Sequence, residues 1–142
     1  MQYVFDTTKV KRYRFPTHVN DLVMDRAQAN VSEVFVVVLE QGEAPPPHVH
    51  NDTEQIFYIL EGQGVLAVGQ QGEEYSCKPG DIVRVPPGTI HTIRSVAGNM
   101  RYLAIDCFTS RRNEDEPTWD AHVRAVCQQQ GWDYEDVVKS SE

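Results

Sequence analysis

Three of the chain's five histidines, His48, His50 and His91, fall in two short blocks rich in glycine and proline. In the first block His48 and His50 are two residues apart, and on an extended chain side chains at that spacing project to the same face. Two imidazoles converging on one point suit a divalent transition metal, whether zinc, manganese, nickel, iron or copper. An His-x-His pair alone is a weak signal, since two surface histidines beside the Pro45-Pro46-Pro47 turn would read the same way. The second block adds the third donor: His91 follows the turn Pro86-Pro87-Gly88. His18 and His122 fit neither block and are read as solvated or hydrogen-bonded structural residues.

Donors that far apart in sequence need a rigid scaffold. Between about residues 31 and 108 the chain is a series of short Val, Ile, Phe and Tyr runs broken by Gly and Pro, the pattern of many strands joined by tight turns. The runs are 31–40, 55–60, 64–68, 73–77, 81–85, 91–95 and 100–108, and they leave room for one domain over residues 1–142. Val34 to Leu39 is apolar at every position, so a dimer partner or a packed terminal segment is expected to cover its outer side. After residue 110 a polar connector, Arg111 to Pro117, leads into a helical extension over about 117–138. Thr118 is its expected cap, Trp119, Val123, Val126 and Cys127 its apolar stripe, and Gly131 its stop. That stripe is expected to pack on the outside of the barrel rather than to contribute chemistry.

Together the two blocks resemble the motifs of the cupin superfamily, G-x5-H-x-H-x(3 or 4)-E-x6-G and G-x5-P-x-G-x2-H-x3-N. Gly42, His48, His50 and Gly62 match the first motif, and Gly80, Pro86, Gly88 and His91 the second. The resemblance implies an all-β fold, a double-stranded β-helix or jelly-roll barrel, here with a short C-terminal α-helical extension. It also implies one divalent metal ion on His48, His50 and His91. Two positions depart from the pattern. Gln55 stands where counting back from Gly62 places the family's carboxylate, and Ser95 stands where the second motif carries Asn. Glu54 satisfies the shorter spacing from His50, but strand alternation that turns Gln55, Phe57 and Ile59 inward turns Glu54 and Tyr58 outward. Gln55 is therefore the favoured fourth donor, with Glu54 the alternative should a bulge shift the register. A neutral amide leaves the ion its full charge and makes it a stronger Lewis acid.

Tyr58, Tyr102 and Arg84 are candidate acid, base or anion-clamp residues, and Asp106 joins them on a strand. Cys77 and Cys107 are read as small buried hydrophobes rather than thiols beside the ion. A net charge of −8, with no Lys/Arg run longer than two, speaks against a nucleic-acid or anionic-membrane partner and for a small-molecule ligand. Three unpaired cysteines and the lack of a signal-like N-terminus or an apolar run of spanning length point to the cytoplasm. The expected protein is a homodimeric metal-dependent enzyme. Isomerase- or lyase-type Lewis-acid chemistry on a small polar acid or sugar-like substrate leads, because Gln in the carboxylate position looks like small cupins that handle uronate-derived sugars. An iron- or copper-dependent dioxygenase is the second reading, a lyase on sulfonium compounds using Glu54 a third, and a non-catalytic binding module a fourth.

Overall fold

The computed structural model describes residues 1–110 and 114–139, so Arg111, Arg112 and Asn113 of the polar connector lie outside the described residues. Among the described residues nine strands form: β1 (Lys11–Arg14), β2 (Val19–Met24), β3 (Ser32–Leu39), β4 (Thr53–Glu61), β5 (Gly64–Val68), β6 (Glu73–Cys77), β7 (Ile82–Val85), β8 (His91–Ser95) and β9 (Met100–Phe108). They make two antiparallel sheets, ordered β1-β2-β3-β9-β4-β7 and β6-β5-β8. The helices α1 (Trp119–Gln130) and α2 (Tyr134–Lys139) follow. The fold is the double-stranded β-helix with a short helical extension.

The seven expected runs each become a strand. Sequence reading passed over β1 and β2, because Lys11-Arg12-Tyr13-Arg14 offers one apolar residue in four. That composition suits the outer edge of a sheet, where charged side chains discourage pairing with another chain. Across the large sheet the registers Tyr13↔Asn20, Asn20↔Val37, Val37↔Tyr102 and Tyr102↔Ile59 define one inward row. Leu22, Phe35, Ala104, Phe57 and Val83 form the next. These rows and the inner side of the small sheet build the core, with Leu39, Ile59, Ile93 and Met100 at or below 1% exposure.

Gly62 joins β4 to β5 at φ 80°, and a Cβ there would collide with the Asn99 carbonyl. Both a left-handed backbone and a close approach of the β8–β9 loop therefore demand glycine at this motif position.

The helix begins and ends where expected. Thr118 caps α1, accepting from the Ala121 amide at 3.1 Å, and Gly131 closes it at φ 74°. Its destination differs from the expectation. Trp119 packs on Phe35 at 4.6 Å and on Tyr13 at 6.4 Å between ring centroids, both inward-facing residues. The extension thus packs against the inner rows instead of lying against the outer sheet, because its Trp finds its strand partners, Phe35 and Tyr13, there. On the outer face Val36 is shielded by its own sheet neighbours, Asp21 and Leu103, while Tyr58, Leu60 and Ile82 stay exposed. Among the described residues no helix is long and apolar enough to cross a membrane.

Candidate functional site

The two histidine blocks are joined through their backbones. His48 N–H donates to the His91 carbonyl at 3.1 Å and His91 N–H to the His48 carbonyl at 3.0 Å, while Gly88 N–H donates to the His50 carbonyl at 2.8 Å. This stitch brings three rings together, with centroids 4.3 Å apart for His48 and His91, 4.9 Å for His48 and His50, and 6.1 Å for His50 and His91. His48 Nδ1–H donates to the Pro46 carbonyl at 2.9 Å and His91 Nδ1–H to the Thr89 carbonyl at 3.0 Å. Both rings are thereby held in the tautomer whose Nε2 carries a free lone pair. Burial, reinforced by the neighbouring imidazoles, pushes His50 down to about 3 and His91 to about 4, and burial lowers His48 as well. All three are neutral near pH 7, the form that donates to a metal.

β4 turns Gln55 inward and Glu54 outward, where Glu54 accepts from Arg84 Nε at 3.2 Å. Gln55 Nε2–H donates to Asp106 Oδ1 at 2.7 Å, which aims its amide oxygen at His91 Nε2, also 2.7 Å away. Behind Asp106 lies Glu33, wholly buried and gripped by Arg26 through two hydrogen bonds of 2.7 and 3.0 Å. Burial and the adjoining Glu33 raise Asp106 well above the ordinary carboxylate range.

No three His, Cys, Asp or Glu side chains among the described residues already stand around a common point as a metal's ligands do. The donor chemistry nevertheless fits a cation. With its Nδ1 proton on Thr89, His91 presents a lone pair to the Gln55 oxygen, so two acceptors face each other across 2.7 Å. That lone pair is met either by the Gln55 NH2, when the amide is turned and a protonated Asp106 donates to its oxygen, or by a cation shared by Nε2 and the amide oxygen.

The His48, His50 and Gln55 side chains line a cavity of about 320 Å3 that runs from the histidines to the C-terminal helix. Tyr102 lines it too, and burial raises its phenol above the ordinary tyrosine range. Tyr58 and Arg84 lie on the outer face and do not reach the cavity, since they occupy the outward positions of β4 and its partner β7. Cys77 sits in the core and Cys107 points outward opposite Glu54. Ser95 Oγ–H donates to the Glu40 carbonyl at 2.5 Å, at the end of β8 remote from His91, so it secures the β3–β4 loop and not the histidines. His18 and His122, read from sequence as structural, both line the cavity. Their flanking residues carry no motif; only the fold places them there. For His122 the one usable sequence signal is its position three residues after Trp119, on the same helix face.

A double-stranded β-helix that gathers His48, His50 and His91 beside Gln55 defines a barrel of cupin type. Residues 35–106 match the cupin domain family, and the chain belongs to it. Among curated proteins it is 29% identical over 105 residues to quercetin 2,3-dioxygenase of Bacillus subtilis, covering 73% of this chain and 31% of that enzyme. The chain thus spans about a third of that relative's length. Among solved structures it resembles a predicted oxalate decarboxylase of Thermotoga maritima, with TM-score 0.68 and 21% identity over 75% of this chain and 99% of that one. It also resembles the polyketide cyclase RemF of Streptomyces resistomycificus, with TM-score 0.66 and 23% identity over 80% and 83% of the two chains. At these identities the structural likenesses speak for the fold.

Proposed function

We propose that this protein is a metal-dependent cupin enzyme, holding one divalent transition metal on His48, His50 and His91 with the Gln55 amide oxygen as fourth donor. Three neutral imidazoles gathered at one place, two of them with Nδ1–H held by backbone carbonyls so that Nε2 is left as a donor atom, support this reading. When bound, the metal supplies Lewis-acid polarisation to a substrate oxygen. The chain's own residues do the rest. The Pro46 and Thr89 carbonyls fix two imidazoles, Asp106 fixes the amide, and the cavity walls exclude water.

The substrate is a small oxygenated molecule. Arg26 is the single Arg or Lys among the described lining residues and is paired with Glu33, while Asp52, Asp106 and Glu116 also line the cavity. Neutral hydroxyl and carbonyl ligands therefore suit it better than the carboxylates of sugar acids. The similarity to quercetin 2,3-dioxygenase favours a second reading, in which the same site carries iron or copper and the reaction consumes oxygen. Three free thiols are in keeping with a reducing compartment such as the cytoplasm.

The test is metal content by mass spectrometry on protein purified without a metal-affinity tag, beside the His48→Ala/His50→Ala double variant. About one ion per chain, lost in the variant, is the expected result. Iron or copper would select the oxygenase reading and zinc, nickel or manganese the Lewis-acid one. A protein that cannot be loaded with metal would make it a binding barrel.

A further inference from the structure

One wall of the cavity is built by the C-terminal segment. Both tryptophans of the chain, Trp119 and Trp132, line it. Aromatic pairs line the cavity with it: Trp119 with Phe35 at 4.6 Å, Trp132 with Phe15 at 5.6 Å, and Tyr102 with Phe57 at 5.0 Å between centroids. Walls of this kind favour a flat unsaturated ligand.

One polar pair interrupts them. His122 Nδ1 lies 2.6 Å from Glu116 Oε1, so its proton is directed at the carboxylate and the lone pair sits on Nε2, which has no hydrogen-bond partner among the described residues. The pair is anchored at both sides, because Arg26 donates to the Glu116 carbonyl at 3.0 Å and the Trp119 amide donates to Asp25 Oδ1 at 3.0 Å. The His122 ring is 5.4 Å from that of Trp119, so a ligand ring seated against Trp119 lies within its reach. Two further polar atoms of lining residues lack a partner: Trp119 Nε1, a donor, and Asn20 Oδ1, an acceptor.

We propose that the C-terminal segment forms a subsite for a planar hydroxylated ring, a phenol or cyclic enol, whose hydroxyl donates to His122 Nε2 and passes its proton there. The O–H bond breaks, the N–H bond forms, the electron pair stays on the ligand oxygen, and Glu116 stabilises the resulting imidazolium. This rests on the reading that an oxygenated ligand occupies the cavity, but not on the metal.

The experiment titrates 4-nitrocatechol into the purified full chain. It follows quenching of tryptophan emission, which reports on Trp119 and Trp132 alone, and the visible band of the ionised probe. Saturable quenching at one probe per chain is expected. His122→Gln should weaken binding about tenfold, the worth of one hydrogen bond to a charged group, and move the bound probe toward its neutral form. Glu116→Gln should shift ionisation the same way while binding persists, and circular dichroism should show both variants folded. Parent protein treated with a chelator, which leaves no metal for the catechol to bind, should retain the quench. A His122→Gln protein that binds and ionises the probe as the parent does overturns the proposal, as does a parent with no saturable quench. Metal content on the same samples separates the two readings: His122-dependent binding in protein that takes up no metal keeps the subsite and removes the metal centre, and the reverse result does the opposite.

Discussion

The two faces of β4 are made from one nine-residue strand, yet they differ in kind. Thr53, Gln55, Phe57 and Ile59 point inward and are buried, while Glu54, Tyr58 and Leu60 point outward and stay at least partly exposed. The inner row joins one polar residue with a chemical assignment to an apolar floor. The outer row holds Glu54, which pairs across the sheet with Arg84; their types are equally suited to chemistry, but both face away from the cavity. Residue type is thus a poor guide to function until the period-2 alternation of the strand has sorted the candidates.

The largest expected effect lies on the inner side. His50→Ala should remove at least about 100-fold in metal affinity, since the ion loses one of three imidazoles and outer-shell changes alone cost 10–100-fold. Calorimetric titration with zinc checks it, and unchanged affinity would place the ion elsewhere. Next in size is the contrast between Phe57→Ala and Tyr58→Ala. Phe57 is 4% exposed among core aromatics and should cost about 3–5 kcal/mol. Tyr58, 42% exposed, should cost about 1 kcal/mol or less. Urea unfolding compares them directly, and equal costs would mean the outer face is covered in solution.

Gln55→Ala against Glu54→Ala applies the same contrast to the site. Loss of the amide oxygen should weaken metal binding about tenfold, whereas loss of the outward carboxylate should leave it unchanged within about twofold. The reverse ranking would require the bulge that the shorter motif spacing calls for.

The strands from residue 31 to 108 were legible because half-buried β-structure writes its period into the sequence, and Gly and Pro mark its turns. The histidine triad was legible because the motif spacing encodes the backbone pairing of His48 with His91. Other features were not. β1 and β2 carry too little apolar periodicity to register as strands. The Glu33–Arg26 pair escaped notice because a Glu inside an apolar run reads as a strand end unless its cation, seven residues earlier, is seen to fold back on it. His122 and Glu116 were missed because their meaning depends on where α1 docks, a tertiary fact with no local signature.

The last effect is spread over a wide pH range, and it tests the inner face as a whole. In metal-free protein His18, His50 and His91 are held at about 3, 3 and 4 by burial, far below the ordinary value of 6.5. Between those values and 6.5 the unfolded chain binds more protons than the folded one, so stability is fully present above pH 6.5 and is lost as pH falls through 6.5 toward 4. Each histidine adds up to about 1.4 kcal/mol per pH unit within that window. Asp106, raised rather than lowered, works in the opposite direction as a single group against these histidines and His48, which burial also lowers. Thermal unfolding should therefore shift downward between pH 7 and 5 in chelator-treated protein. His18→Phe should flatten the slope without touching metal affinity, because this ring stacks on Phe15 at 4.7 Å and lies outside the triad. A slope unchanged by His18→Phe would show that this ring is protonated in the folded chain, and the inner face would then be wetter than its burial implies.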